Sequence, residues 1–353
     1  MPTFFRIVAA QLTPRLGDVA ANLALYEAEI ERAVRDGVDV LVFPELSLTG
    51  YFLKDMVSEV ALRLESAEVR RLREASRHVA LVAGFVEEAP DFRYYNSAVY
   101  FEDGEIRHVH RKVYLPTYGL FDEGRYLARG NRIRSFPTKF GRFAILICED
   151  LWHPSTIYIA ALDGAVVVVC PSSSPLRGIS DGAVQDDNAR YWEALNRIYA
   201  QTYSVYLVYA NRVGFEDGVG FWGGSEIVAP DGTTVAKGPY YEPATVGGEI
   251  DLARVRHHRV IAPVIRDEDL DLTINELLRI RGRPREGGEL PAEALEKAHA
   301  EARKTKGGEV REGKGVEGRG TGSVEDRAEE DRAAGTTRPK PRARRRVAAG
   351  RSK

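Results

Sequence analysis

The chain is poor in sulfur. Its 353 residues hold two cysteines and two methionines, too few for a secreted disulfide framework, so the fold has to stand on burial. It is also nearly without net charge, since 50 Lys and Arg against 52 Asp and Glu leave −2. That balance excludes a molecule organised as a whole around nucleic acid or an acidic membrane surface. No apolar run approaches the roughly 18–20 uninterrupted residues of a membrane span. The first residues, MPTFFRIVAAQL, show no basic stretch leading into an apolar signal core, and the expected compartment is the cytoplasm.

A further absence is regional. From Pro284 to Lys353 there is no Phe, Tyr or Trp, and Gly, Glu, Arg, Lys and Ala dominate. Such a stretch cannot bury enough apolar surface to offset its ordering entropy. The expectation is a folded domain over residues 1–283 and a disordered tail over 284–353, with a transient helix at 291–304. The last sixteen residues, RPKPRARRRVAAGRSK, carry eight Lys or Arg and no acid. They suit weak, salt-dependent contacts with phosphates or acidic surfaces rather than a dedicated nucleic-acid partner. GEVREGKG, at 308–315, approximates a phosphate loop but lacks its Ser or Thr and follows no strand.

What is present, at 44% hydrophobic content, suffices for a large core. FRIVAAQL (5–12) and VDVLVF (38–43) read as strands. Between them Asp18 caps a helix that carries Leu23, Tyr26, Ile30 and Val34 at helical spacing and stops at Gly37. A helix is expected near 57–77, then strand VALVAGFV (79–86), a hairpin turning at Asp103 and Gly104, and strand FAILIC (143–148). After a short helix behind Pro154 come AVVVVC (165–170) and an amphipathic helix with Tyr191, Leu195, Ile198 and Tyr199 on one stripe. Strand VYLVYAN and a hairpin turning at Asp231 and Gly232 complete an α/β pattern of mixed sheets covered by helices.

The two cysteines differ in setting. Cys170 closes an apolar strand and is read as packing, as buried free cysteines usually are. Cys148 leaves its strand directly into Glu149 and Asp150, a sharp exit of the kind that presents a nucleophile. A free thiol is only a few per cent ionised at neutral pH, and neighbouring carboxylates disfavour the thiolate further. The chemistry therefore asks for a base and a cation. None of the seven histidines, His78, His108, His110, His153, His257, His258 and His299, stands in a recognisable triad spacing. Two other strand ends offer Glu45, in VFPELSLTGY, and Lys112, in HRKVYLPTYGLFDEGRY, with Glu123 eleven residues further on.

VFPELSLTGY, RKVYLPTYGLFDEGRY and ILICEDLW follow in that order, with 67 residues from Glu45 to Lys112 and 36 from Lys112 to Cys148. Together they resemble the three signature blocks of the nitrilase superfamily of carbon-nitrogen hydrolases, over about residues 4–265. LPTYGLFDEGRY, CEDLW and QLTPRLGDVAANL are most similar to the glutamine amidase domain of glutamine-dependent NAD synthetases. The resemblance implies an α-β-β-α sandwich, with Glu45 as general base, Cys148 as nucleophile, Lys112 as oxyanion-stabilising cation and Glu123 as a second glutamate orienting the lysine and substrate. It also implies the backbone N–H of Glu149 as a second oxyanion donor and substrate contacts from Glu149, Tyr51, Tyr118, Phe121 and Ser174. GFWGGSEIVAPDG matches a late hairpin in which Gly223 and Gly224 allow close backbone approach and Ser225 points to the core.

No metal and no organic cofactor is implied, and a homodimer or larger homo-oligomer is. The activity implied is thioester-mediated hydrolysis of a small linear amide, glutamine-like, ω-amide or N-carbamoyl. Alternatives are a nitrilase, a glutaminase subunit delivering ammonia to a separate synthetase, or an inactive binding module with a basic tail. The ATP-using domain of the synthetases, with its SGGxDS-type loop, has no counterpart between residue 265 and Lys353.

Overall fold

The computed structural model describes residues 2–176 and 187–283. Met1–Ile274 form one compact unit. A second begins at Asn275, and its described part, to residue 283, is the end of the helix Leu270–Arg281 and the two residues after it. The expected tail, 284–353, with its basic end and its candidate transient helix, lies outside the described residues.

The strand Phe4–Gln11 is apolar on both faces. Successive side chains point to opposite sides of a strand, so Phe5, Ile7 and Ala9 enter one core layer and Val8 and Ala10 another. The same division separates Val40 and Val42 from Leu41, and Ala80 and Val82 from Leu81 and Ala83. Strands buried on both faces need a layer on each side. One is a second sheet and the other is helical.

The first sheet runs, in spatial order, Ala244–Asp251, Phe4–Gln11, Val40–Val42, Ala80–Glu88, Tyr94–Glu102 and Glu105–Arg111. The second runs Thr234–Lys237, Glu226–Val228, Tyr206–Asn211, Val167–Ser172, Gly141–Ile145 and Ser135–Thr138. Helices Val19–Arg35 and Ala67–Ala75 cover the outer face of the first, through Leu23, Tyr26, Ile30, Val69 and Leu72. Helices Pro154–Leu162 and Asp187–Tyr203 pack on the second through Ile157, Ala160, Trp192 and Tyr199. The architecture is an α-β-β-α sandwich with one extra ribbon, Val213–Glu216 paired with Val219–Trp222.

Local expectations fared unevenly. Asp18 caps its helix, accepting the Ala21 N–H at 3.0 Å, but Val34 is exposed. The helix expected over 57–77 is two short ones, Val57–Val60 and Ala67–Ala75. Leu62 interrupts them because its N–H bonds to Val86 O and its carbonyl accepts from Glu88 N, pairing it with the end of strand Ala80–Glu88. In helix Asp187–Tyr203 the expected stripe holds for Tyr199 and Leu195, which pack on the core, and not for the other two. Tyr191 and Ile198 are 46% and 57% exposed, while Trp192 is 1% exposed. Buried polar partners choose the inward face: Asn188 and Trp192 donate to Ser174 Oγ at 3.0 and 2.9 Å, and Asn196 donates to Glu226 at 2.7 Å.

The strands deliver the polar residues to one edge. Val40–Val42 runs parallel to Ala80–Glu88, and two antiparallel steps bring Glu105–Arg111 back to that direction. Glu45 and Lys112 therefore leave the first sheet on the same side. Gly84 makes room for the Glu45 turn, since a Cβ there would lie 2.7 Å from Pro44 O and 2.8 Å from Leu46 N.

Candidate active site

Lys112 is the centre of the polar cluster. Its Nζ donates to Glu45 Oε1 at 2.7 Å and to Glu123 Oε1 at 2.6 Å, with the side chains of Lys112 and Glu45 fully buried. A buried ammonium between two carboxylates is tolerable only because its donors are satisfied in place. Burial works against the charged lysine, yet Glu123, Glu45 and the Cys148 sulfur outweigh it and hold its pKa well above the ordinary value. Glu123 is pushed up to about 7, first by burial, with Lys112 opposing and Glu45 adding to the rise. Its Oε1 also accepts from the Tyr51 hydroxyl, while its Oε2 is buried without a protein partner.

Glu45 is held from three more directions. Asn96 Nδ2 donates to Oε1 at 2.7 Å, the Ser173 N–H donates to Oε2 at 2.8 Å, and Ser173 Oγ donates to the Glu45 carbonyl at 2.8 Å. Leu46, directly after it, adopts φ 48°, a left-handed conformation uncommon outside glycine.

Cys148 sits across from this cluster at the end of the second sheet's strand Gly141–Ile145, with φ 46° and ψ −104°. A strained turn straight after a strand is how a nucleophile is held out of the sheet. Both thiols are buried, and Cys148 keeps 8% exposure where Cys170 has none. Ser172 Oγ donates to Cys148 Sγ at 3.3 Å. Glu45 and Lys112 both act electrostatically on the thiol, in opposite senses. Burial and Glu45 outweigh the lowering by Lys112 and the Ser172 hydroxyl, and the thiol pKa stands well above its ordinary value. At rest the sulfur is protonated, and a base is required for attack.

The remaining expected contacts fall into two groups. Tyr118 Oη donates to the Glu149 carboxylate at 2.9 and 3.1 Å. Phe121 stands edge-on to both Tyr118 and Tyr51, with ring centroids 5.7 and 6.3 Å apart. Tyr51 in turn donates to Glu123, and Glu149 directly follows Cys148 in sequence. Ser174 faces helix Asp187–Tyr203, its hydroxyl accepting from Asn188 and Trp192, while Ser172 reaches Cys148 and Ser173 reaches Glu45. Tyr51 and Glu123 also line a cavity of about 140 Å³ with Leu46, Tyr126 and Leu127. Gly223 and Gly224 take φ 74° and 58°, and Ser225 is buried, donating to Asn211 O at 3.2 Å.

Sequence reasoning missed Asn96, Ser172 and Ser173. A signal existed for Asn96, a lone amide in the strand YYNSAVYFE, where Asn is depleted. Among the described residues no group of three or more His, Cys, Asp or Glu is arranged to hold a metal ion, and no helix is long and apolar enough to cross a membrane.

Two sheets lie face to face, with a cysteine, a lysine and two glutamates gathered near their common edge. Residues 6–260 match the profile of the carbon-nitrogen hydrolase family. The chain belongs to that family, within the nitrilase superfamily. It is 29% identical over 257 residues to a glutamine-dependent NAD(+) synthetase of Acinetobacter baylyi, covering 72% of this chain and 46% of that one. It spans less than half the length of such synthetases from A. baylyi, Thermotoga maritima and Rhodobacter capsulatus.

Among solved structures, a carbon-nitrogen hydrolase from Helicobacter pylori G27 superposes with TM-score 0.67 at 26% identity, covering 78% of this chain and 98% of that one. A mutant of the amidase from Nesterenkonia sp. AN1, with the acetamide moiety of fluoroacetamide covalently added at its active-site cysteine, superposes with TM-score 0.65 at 26% identity, covering 77% and 96%.

Proposed function

We propose that this carbon-nitrogen hydrolase cleaves a small linear amide through a thioester on Cys148, with Glu45 as general base and Lys112 as the cation at the oxyanion. The observation that carries the reading is the buried Lys112 ammonium bonded to both Glu45 and Glu123 beside the Cys148 thiol. Glu45 takes the thiol proton as Sγ bonds to the carbonyl carbon. The Lys112 ammonium and the Glu149 N–H stabilise the oxyanion, a kind of donor whose loss costs on the order of 10²- to 10³-fold in rate. Collapse of the tetrahedral adduct breaks the C–N bond, and the proton on Glu45 leaves with the amine as ammonia. Glu45 then deprotonates a water that attacks the thioester, and the S–C bond breaks to give a carboxylic acid and free thiol. Glu123 keeps the lysine facing the site, with Tyr51 holding Glu123.

Glutamine or a related ω-amide or N-carbamoyl compound is the proposed substrate class, supported by the synthetase relatives. Those relatives also favour a second reading, in which the ammonia passes to a synthetase on a separate chain. Ammonia release from a panel of amides, nitriles and N-carbamoyl compounds, by the native chain and by Cys148→Ala, tests the hydrolase reading. Turnover by the native chain and none by the variant is expected. A silent native chain, with or without a co-purifying partner, overturns it.

A further inference from the structure

Glu149 and Asp150, adjacent in sequence, have opposite fates. The Glu149 carboxylate accepts from the Tyr118 hydroxyl. Asp150 turns inward, is fully buried, and spends its carboxylate on backbone. Oδ1 accepts the N–H of Val113 and of Tyr114, both at 2.9 Å, and Oδ2 accepts the N–H of Ile147 at 3.0 Å. Oδ2 also meets His110 Nε2 at 2.8 Å, and that histidine too is buried.

The identities of these partners matter more than their number. Val113 and Tyr114 directly follow Lys112, His110 precedes it by two residues, and Ile147 directly precedes Cys148. One carboxylate therefore ties the strand end that carries the ammonium, in the first sheet, to the turn that carries the thiol, in the second. The Lys112 segment is also fixed by its own N–H to Asn96 O and by Gly130 N to its carbonyl, both at 2.8 Å. Asp150 alone of these partners spans from that segment to the cysteine turn. A buried carboxylate accepting several N–H groups makes short, directional bonds, so its placement sets the separation of the two segments.

We infer that Asp150, oriented by His110, is a positioning residue that fixes the distance between the Cys148 sulfur and the Lys112 ammonium. The inference rests on the hydrolase reading above and deepens it. Asp150 touches none of the reacting atoms. Its effect is geometric, and a misplacement of about 1 Å between catalytic groups is enough to cost on the order of 10²-fold in rate.

The test compares Asp150→Asn with His110→Gln and His110→Ala. Asparagine keeps the shape but turns an NH₂ toward donors, while glutamine carries an N–H to the place of the imidazole Nε2 and alanine does not. Three readouts are needed: ammonia release resolved into kcat and KM, the rate at which chloroacetamide alkylates Cys148 against Cys170 by peptide mass spectrometry, and the thermal midpoint. For Asp150→Asn we expect kcat and Cys148 alkylation to fall together, on the order of 10²-fold, with KM within about threefold of native. His110→Gln should recover most of the kcat lost in His110→Ala.

Two results overturn the inference. One is a folded Asp150→Asn chain with kcat and alkylation within about threefold of native, because a purely structural anchor lowers the midpoint and leaves the chemistry intact. Should Asp150→Asn not fold, the histidine pair decides, and equal kcat in His110→Gln and His110→Ala is the second. A native chain that releases ammonia from no substrate sinks the hydrolase reading instead. An active native chain with an equally active Asp150→Asn variant sinks this inference alone.

Discussion

Lys112 Nζ lies 2.7 Å from Glu45 Oε1, although 67 residues separate them in sequence. The contact is possible because both leave the first sheet at the same edge, and it is fully desolvated on both sides. The ammonium's second partner, Glu123, makes the lysine a bridge between two carboxylates, and the predictions below follow from that bridge.

Removing the bridge should cost both activity and stability. Lys112→Met leaves two buried carboxylates without their cation, and breaking a buried pair of this kind costs about 3–5 kcal/mol. We expect the midpoint of denaturant unfolding to drop and kcat to fall at least on the order of 10²-fold. Lys112→Met/Glu123→Gln, with one carboxylate neutralised, should regain part of the stability and none of the activity. Equal stability of the single and double variants would show that the two side chains are not coupled.

Glu123 gives the chain a pH-dependent stability. Its folded pKa, raised to about 7 from an ordinary 4.5, means that the folded state holds a proton the unfolded state has released. The contribution is fully present below pH 4.5 and is lost as pH rises through about 7. Thermal midpoints of the native chain should therefore fall across that window relative to those of Glu123→Gln, in which the linkage is absent. Parallel curves for the two chains would remove Glu123 as the titrating group.

Gly84 tests how tightly the base is placed. An added Cβ meets backbone atoms of Pro44 and Leu46, which cannot move aside as a side-chain end would. Gly84→Ala should displace Glu45 and reduce kcat on the order of 10-fold or more, with a smaller change in KM. Native kcat in the variant would mean that the turn relaxes without moving the carboxylate.

Residues 284–353 are expected to be dispensable for turnover, since every residue assigned to the site lies between Glu45 and Ser174. A chain ending at Arg283 should keep native kcat and KM in ammonia-release assays. A large loss would place part of that segment in the active assembly.

Glu45 and Cys148 were readable as candidates because each follows an apolar run, and Lys112 because it stands at the end of the strand Glu105–Arg111; Glu123, which opens a short helix after a loop, came only with the resemblance of its block. The layers were legible too, in runs such as FRIVAAQ and VVVVC that are apolar on both faces. What escaped was set by pairing across the molecule. Helix 57–77 breaks where Leu62 finds the backbone of Val86 and Glu88. The inward face of helix Asp187–Tyr203 follows polar partners such as Ser174 rather than the Tyr191 and Ile198 stripe. Ser172, Ser173, Asn96 and Asp150 were missed for the same reason. Their work consists of bonds to Glu45, Cys148 and the Lys112 flanks, formed 24 to 128 residues away, and apart from the lone amide of Asn96 in its strand no local pattern announces them.

The central claim is that Cys148 forms a covalent acyl adduct while Glu45 manages its proton. Trapping measures this most directly: the native chain and Glu45→Gln are each quenched in acid during incubation with a small amide substrate, then digested, and their cysteine peptides are weighed. We predict an acyl adduct on the Cys148 peptide of the native chain, far less of it in Glu45→Gln and none on the Cys170 peptide of either, with ammonia release absent in Cys148→Ala. An unmodified Cys148, or undiminished ammonia release by Cys148→Ala, would contradict the account.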